Sequence, residues 1–241
     1  MNLVIDAGNS LIKISIFKQK NEIFSEQIEY SLFVSKIKAV FAQFPNINNA
    51  IISSVGALEK KDIVVVELFC KTILLSHQTK TPFKNSYASP ETLGVDRIAL
   101  ATAAFYENPK GNTLVIDAGT CITYDMVNDY GEYLGGSISP GLKMRFKALH
   151  DQTSKLPLLE AGNILDFIGN TTETSIQSGV INGIVAEIDG IVSKYESRFK
   201  NLTVILTGGD ALFLSKRTKN SIFANQKFLL MGLNYLLEYN K

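Results

Sequence analysis

The chain has 241 residues, of which 46% are hydrophobic and 20% are charged. This composition is typical of a globular protein with its own core and differs from that of disordered or fibrous chains. The formal net charge of +1 argues against nucleic acid or a membrane surface as a partner. Because no apolar run is long enough to cross a bilayer and no signal peptide is recognisable, we expect a cytoplasmic protein.

The first half of the chain predicts three strands followed by helices and strands in alternation. Short polar turns separate the opening apolar runs, and the later runs keep helical or strand spacing. Ser31 is the expected N-cap of the first helix. Residues 60–71 fit either a helix or a strand, and we favour a helix because the gap to the next strand is short. The expected elements are strands at 3–8, 11–17, 22–30, 50–55 and 72–76 and helices at 31–44, 60–71 and 94–105.

The second half repeats this order. The hexapeptide LVIDAG occurs at 3–8 and again at 114–119, each time ahead of a turn and another strand. The clearest helical pattern starts at Thr172, where apolar residues keep to one face over many turns. Pro and Gly residues mark a boundary near 106–112, so we expect two domains, 1–108 and 109–241. The other expected elements are strands at 112–119, 121–127, 132–139 and 202–209 and a closing helix at 228–239.

Each LVIDAG copy leads into a turn that suits a phosphate. Its glycine lets the backbone approach a ligand closely, and N–H groups in such a turn can bind an anion. Asp6 and Asp117 could each hold a cation that faces the phosphates, and Lys13 could reach a transferring phosphoryl group. The segment TGGD at 207–210 offers a third glycine turn, suited to a nucleotide. Each motif is weak alone, but three in a duplicated layout favour a nucleotide site.

Several longer motifs carry a specific resemblance. The layout resembles that of the acetate and sugar kinase, heat-shock chaperone and actin superfamily, and the motifs resemble those of type III pantothenate kinases. The resemblance implies an α/β fold of two duplicated ribonuclease H-like (actin-like ATPase) domains, each a mixed sheet of order βββαβαβα flanked by helices. The matching segments are DAGNSLIK (6–13), NSYASPETLGVDR (85–97), DAGT (117–120), GGSISPGL (135–142), KLP (155–157), GNTTETSIQSG (169–179) and LTGGDA (206–211).

The resemblance also implies an activity and its site. The activity is ATP-dependent phosphorylation of pantothenate to 4'-phosphopantothenate, the first step of coenzyme A biosynthesis, with Asp96 as the general base. Asp6 would organise Mg²⁺ and Asp117 a monovalent cation, K⁺ or NH₄⁺. The residues implied to bind ATP are Asp6, Ala7, Gly8, Asn9, Ser10, Leu11, Ile12, Lys13, Thr120, Gly208 and Gly209. Those implied to bind pantothenate are Tyr87, Gly94, Val95, Asp96, Arg97 and Thr172.

The same residues have simpler explanations. Asp96 suits the first turn of a helix because the helix dipole favours an acidic residue there, Thr172 could be the N-cap of the long helix, and Tyr87 could be a surface aromatic. The family resemblance implies a homodimer in which Thr172 reaches the partner's site. The alternatives are a nucleotide-binding regulator that kept the fold without the chemistry and another small-molecule kinase or hydrolase of the superfamily.

Overall fold

The computed structural model describes residues 1–55, 58–163 and 166–241. These residues form two compact units. Unit one comprises Met1–Pro109, Gly131–Tyr133 and Lys227–Lys241, and unit two comprises Lys110–Tyr130 and Leu134–Gln226. The domain limits expected from the sequence, 1–108 and 109–241, remain a prediction. The two units differ from these limits chiefly because Lys227–Lys241, at the end of the chain, belongs to unit one. Within the described residues, no helix is both long and apolar enough to span a membrane.

Unit one is built on a five-stranded mixed sheet of order β3-β2-β1-β4-β5. The first strand pairs antiparallel with the second and parallel with the fourth. The strands are β1 (Asn2–Ala7), β2 (Ile12–Lys18), β3 (Asn21–Ile28), β4 (Asn49–Ser54), β5 (Lys71–Leu74) and the short β6 (Lys84–Asn85). The helices are α1 (Phe33–Gln43), α2 (Lys60–Glu67), α3 (Val95–Glu107) and, from the end of the chain, a last helix at Phe228–Tyr239.

The two faces of this sheet have different roles. Side chains alternate between the faces of a strand, so Leu3 and Ile5 face the apolar core that also contains Ile37 and Val40 of α1. Asn2 lies on the other face, where its Nδ2 donates to Asn234 Oδ1 of the last helix at 2.7 Å. Alternation places Asp6 on the same face as Asn2. The second face is therefore the one covered by α3 and the last helix.

Unit two contains a sheet of the same design. Here β7 (Thr113–Ala118) pairs antiparallel with β8 (Cys121–Val127) and parallel with the strand Thr203–Thr207. In chain order the remaining elements are β9 (Glu132–Pro140), α4 (Leu142–Asp151), α5 (Thr172–Arg198), β10 (Thr203–Thr207), α6 (Ala211–Ser215) and β11 (Phe223–Ala224). The last helix of the chain, which belongs to unit one, is α7 (Phe228–Tyr239). The strand order is β11-β10-β7-β8-β9, and the first two residues of β9, Glu132 and Tyr133, belong to unit one and pair there with β6. The predicted α/β class with two mixed sheets is confirmed.

The long helix α5 supplies much of the core of unit two. Ile181, Ile184, Ile188 and Val192 are fully buried against the apolar residues of β7, β8 and β10. Their spacing of three and four residues keeps them on one face of the helix, as the sequence predicts. The helix therefore fixes one side of the sheet that presents the second LVIDAG turn.

Three local predictions are wrong or incomplete. The N-cap of α1 is Leu32 and not Ser31, because the residues just before this helix form a 3₁₀ turn. The N-cap of α5 is Thr171, whose hydroxyl accepts from the backbone N–H of Thr174 at 3.1 Å, so Thr172 is the first helical residue. The helix α4 was not predicted. Residues 60–67 are helical, as favoured.

Candidate active site

The first glycine turn joins β1 to β2 as a tight hairpin. The Gly8 backbone N–H donates to the Leu11 carbonyl at 3.2 Å, and the Tyr30 hydroxyl donates to the Gly8 carbonyl. Ala7 and Ile12 are buried at the base of the hairpin, whereas Asn9, Ser10 and Leu11 are exposed at its tip. The base of the turn is thus fixed by buried residues and hydrogen bonds, and its tip is exposed to solvent. Tyr30 was not predicted, because nothing in the sequence shows that it reaches this turn.

Asp6 lies at the end of β1 and is only 7% exposed. Burial raises the pKa of Asp6 to about 6, Lys13 lowers it in part, and the charge of Asp96 raises it further. Lys13 is the register partner of Asp6 on β2, so the two side chains lie on the same face of the sheet. The sheet and the start of α3 therefore bring Asp6 and Lys13, which share one hairpin, together with Asp96, which lies far from both in the sequence.

Asp96 occupies the first turn of α3. Gly94 is the N-cap, and its carbonyl accepts from the backbone N–H of Ile98 at 3.2 Å. Asp96 Oδ1 accepts from the backbone N–H of Arg97 at 2.9 Å, which leaves Oδ2 outside that hydrogen bond. A Cβ on Gly94 would lie 2.4 Å from Asp96 Oδ1, so the glycine is needed for the carboxylate to lie where it does. Val95 begins the helix between them.

Arg97 and Tyr87 also come together. The Arg97 side chain is buried, and its guanidinium carbon lies 5.7 Å from the centre of the Tyr87 ring. This distance is within the range of a cation–π contact. The Tyr87 backbone N–H donates to Asn85 Oδ1 at 3.0 Å, which fixes the loop that carries the ring. A guanidinium group and an aromatic ring therefore lie together, and the guanidinium belongs to the residue that follows Asp96 in the chain.

The second glycine turn lies in unit two, at the end of β7. The Gly119 backbone N–H donates to the Cys121 carbonyl at 2.9 Å, and the Gly141 N–H donates to the Thr120 carbonyl at 3.2 Å. Gly208 has a φ of +95°, and a Cβ there would lie 2.4 Å from both Asp117 Oδ1 and the Ala118 carbonyl. The third glycine turn therefore approaches the second closely.

The predicted residues of unit two divide into two places. Asp117, Gly208 and Thr120 lie around the second and third glycine turns, with Gly209 exposed beside them. Thr172 is exposed at the start of α5 and lines a cavity of about 1240 Å³. Other residues of this cavity are Arg145, Leu149, Leu156, Asn170, Ile176 and Gly179.

The donor set at Asp6 fits Mg²⁺ bound with a nucleotide. The described residues contain no group of three or more His, Cys, Asp or Glu side chains that could hold a metal by themselves. Mg²⁺ in phosphoryl-transfer sites is usually held by one or two carboxylates, with phosphates and water completing its shell. A bound cation would also offset the cost of the buried charge of Asp6. The oxygens of Asp117 and Ala118 beside Gly208 are likewise suited to a cation.

The two mixed sheets, each with a glycine turn after its first strand, define the chain as an α/β protein of duplicated ribonuclease H-like fold. A solved structure from Campylobacter jejuni, described as a Baf family transcriptional activator, is similar at a TM-score of 0.63 and 22% identity over 99% of this chain and 98% of its own. A glucokinase from an Antarctic psychrotroph has a TM-score of 0.54 at 12% identity over 99% and 98% of the two chains. At such identities the likeness concerns the fold alone.

The sequence comparisons identify the family. The family model for type III pantothenate kinase matches residues 2–194. A type III pantothenate kinase from Christiangramia forsetii is 48% identical over 100% of this chain and 99% of its own, and one from Flavobacterium johnsoniae is 44% identical over 99% and 98%. The chain belongs to the type III pantothenate kinase family. The predictions of the family and of a kinase are therefore confirmed.

Proposed function

We propose that this protein transfers the γ-phosphate of ATP to pantothenate and forms 4'-phosphopantothenate, which opens coenzyme A biosynthesis. Membership of the family supports the substrates. The observation that supports the chemistry is that Asp6 interacts electrostatically with both Lys13 and Asp96 within unit one. This places a buried carboxylate near an ammonium group and near a second carboxylate in the first turn of a helix. The expected cytoplasmic location is part of the proposal.

Phosphoryl transfer needs positioning and charge neutralisation more than covalent chemistry. The hairpin tip at Asn9 and Ser10 would bind the phosphates through its backbone and side chains, and Lys13 would place a charge on the group being transferred. Mg²⁺ held at Asp6 would neutralise phosphate charge. These residues share one end of the sheet, so a triphosphate on the hairpin faces both Asp6 and Lys13.

Asp96 would serve as the base. The primary hydroxyl of pantothenate attacks the γ-phosphorus, its proton passes to Asp96 Oδ2, and ADP leaves with the electron pair of the broken P–O bond. Oδ1 keeps its hydrogen bond to the Arg97 N–H and holds the carboxylate in orientation. The Arg97 guanidinium suits the carboxylate of pantothenate and the Tyr87 hydroxyl suits its amide or hydroxyl groups. Gly94 and Val95 would shape the floor of the substrate site.

We also assign nucleotide contacts to the second and third glycine turns of unit two. Thr120 and the glycines 208 and 209 would contact the nucleotide, and Asp117 would hold K⁺ or NH₄⁺. The close approach of Gly208 to Asp117 Oδ1 and the Ala118 carbonyl supports this assignment, because carboxylate and carbonyl oxygens suit a hard cation. Activation by potassium is therefore part of the proposal.

The homodimer is a further part of the proposal. Thr172 is exposed beside a large cavity, where it is available to a neighbouring protomer. In the proposed dimer, this threonine touches the pantothenate bound by the partner subunit. The apolar contribution of Leu149, Leu156 and Ile176 to the cavity wall supports an interface here.

One assay tests the function, and one variant pair tests the base. ADP release is measured with pantothenate, with and without potassium, for the wild type, for Asp96→Asn and for Asp62→Asn. Asp62 is a matched control because it also lies in the first turn of a helix and accepts a backbone N–H, from Glu59 at 3.1 Å. We expect Asp96→Asn to lose about 10²-fold or more in turnover while it binds ATP normally, and Asp62→Asn to keep full activity.

The outcomes separate the alternatives. ATP binding without pantothenate-dependent ADP release would support a regulator that kept only the fold. ADP release with another small alcohol but not with pantothenate would support a different kinase. Full turnover in Asp96→Asn would exclude that residue as the base while leaving the overall reaction in place.

A further inference from the structure

Ser53 on β4 carries a buried hydroxyl that the proposed chemistry has not used. The residue is 0% exposed, and its Oγ has no hydrogen-bond partner among the described residues. A buried polar group without a partner costs free energy, so each such group needs a reason. Its position points to one.

Ser53 is the register partner of Asp6. The two lie side by side on parallel strands β4 and β1, just as Lys13 lies beside Asp6 on the antiparallel strand β2. Neighbouring strands are about 4.8 Å apart, and register partners point to the same face. Lys13, Asp6 and Ser53 therefore form one row across the sheet, with the carboxylate in the middle. A rotation about χ1 of serine moves its hydroxyl without moving the backbone.

A second buried serine on the same face does have hydrogen-bond partners. Ser15 of β2 is also 0% exposed, but its hydroxyl is hydrogen bonded to Glu22 and to Ser25, each at 2.9 Å. Burial on this face is thus compatible with a satisfied serine. The hydroxyl of Ser53, beside Asp6, is unsatisfied among the described residues, whereas that of Ser15 is satisfied.

The second repeat has a hydroxyl at the equivalent place. Asp117 of β7 has Thr207 of β10 as its parallel register partner, as Asp6 of β1 has Ser53 of β4. The chain therefore pairs each aspartate of its two DAG turns with a hydroxyl residue on the neighbouring parallel strand. This correspondence is independent of the burial of Ser53.

We propose that Ser53 Oγ–H donates to the Asp6 carboxylate when the nucleotide and its Mg²⁺ bind, and that it sets the orientation in which Asp6 receives them. The inference rests on the proposed function, because that function assigns Mg²⁺ to Asp6. Carboxylates that ligate metals are commonly held by such hydrogen bonds, and their loss typically costs about 10- to 100-fold in metal affinity or activity. Ser53 is a positioning residue and does not touch substrate.

Calorimetric titration with a non-hydrolysable ATP analogue tests the inference directly. The affinity is measured with excess Mg²⁺ and again with EDTA, and the ratio of the two gives the gain that Mg²⁺ provides. We expect Ser53→Ala to reduce this gain about 10- to 100-fold with the EDTA affinity unchanged. Ser53→Thr, which keeps the hydroxyl, is expected to restore most of the gain, and Ser15→Ala is the matched control with no effect on it.

Three results would overturn the proposal. The first is an undiminished Mg²⁺ gain in Ser53→Ala, and the second is an equal loss with and without Mg²⁺, which would indicate a role in the sheet alone. The third is a failure of Ser53→Thr to recover any of the gain when its melting temperature equals that of the wild type. If the wild type itself shows neither a Mg²⁺ gain nor turnover of pantothenate, the proposed function fails too. If the wild type turns over pantothenate and Ser53→Ala keeps the full Mg²⁺ gain, only the proposed role of Ser53 is refuted.

Discussion

The buried carboxylate of Asp6 makes the stability of the nucleotide-free protein depend on pH in a defined direction. The pKa of Asp6 is raised from its usual 3.8 to about 6, so the folded state takes up this proton at a higher pH than the unfolded state does. The stabilisation from this group is fully present below pH 3.8 and is lost as the pH rises through about 6. The perturbation to test is therefore a change of pH, compared between the wild type and Asp6→Asn.

The pKa difference sets the size of the effect. One pKa unit corresponds to 1.36 kcal/mol, so the whole change is about 3 kcal/mol. Between pH 8 and pH 5, we expect about 1.4 kcal/mol of it, because the unfolded chain is still ionised at pH 5 while folded Asp6 is mostly protonated. The side chain is almost fully buried, so screening by solvent takes little from this value.

Urea unfolding at several pH values between 5 and 8, without nucleotide or Mg²⁺, measures the effect. The free energy of unfolding of the wild type is compared at each pH with that of Asp6→Asn, which removes the titrating group and retains the shape of the side chain. We expect the wild type to gain about 1.4 kcal/mol relative to the variant as the pH falls from 8 to 5. The reasoning would be refuted if the difference in the free energy of unfolding stayed constant with pH, or if the wild type became more stable relative to the variant as the pH rose.

Two glycines give further predictions. A Cβ at Gly232 of α7 would lie 1.9 Å from the Ala99 carbonyl of α3, so Gly232→Ala should cost about 3 kcal/mol or more and lower the melting temperature by about 6–12 °C; an unchanged calorimetric melting curve would contradict this packing. A Cβ at Gly179 of α5 would meet no described atom within 4 Å, so Gly179→Ala should stabilise an isolated protomer by about 1 kcal/mol. If α5 packs against a second copy at this glycine, the same change should instead weaken the dimer about tenfold. Equal dissociation constants for the wild type and Gly179→Ala in sedimentation equilibrium would count against that interface.

Strands and long helices were predictable because they carry their own periodicity. The segment from Thr172 keeps its apolar face along the whole of α5, and the first copy of LVIDAG forms β1. In contrast, α4 buries only Leu142 and Phe146, too few apolar positions to give a helical pattern in a short polar segment. The cap of α5 was mistaken by one residue because adjacent Thr171 and Thr172 are chemically equivalent, and only backbone geometry separates them.

The glycine turns were predictable, but their neighbours were not. The motif DAGNSLIK contains both Asp6 and Lys13, so one hairpin joins them and the local sequence is sufficient. Ser53 lies in the strand-like run at 50–55, which reads as one more buried strand. Its importance depends on which strand pairs with β1 and in what register, and such long-range pairing leaves no local signal. The same holds for Tyr30, whose hydroxyl reaches the Gly8 carbonyl.

The two copies of LVIDAG give their aspartates different electrostatic surroundings. Asp6 lies between Lys13 and Ser53, so an ammonium group shares its row and can meet phosphate charge alongside a divalent cation.

Asp117 lies between Thr123 and Thr207. Both of these register partners are threonines, and the Thr123 hydroxyl donates to Asp125 at 2.9 Å. Threonine partners place hydroxyl oxygens beside the carboxylate of Asp117, and such oxygens suit a hard cation, whereas a carboxylate beside lysine suits Mg²⁺ carried on a polyanion. The residues on the neighbouring strands, and not the repeated hexapeptide, therefore account for the two different ions that we propose.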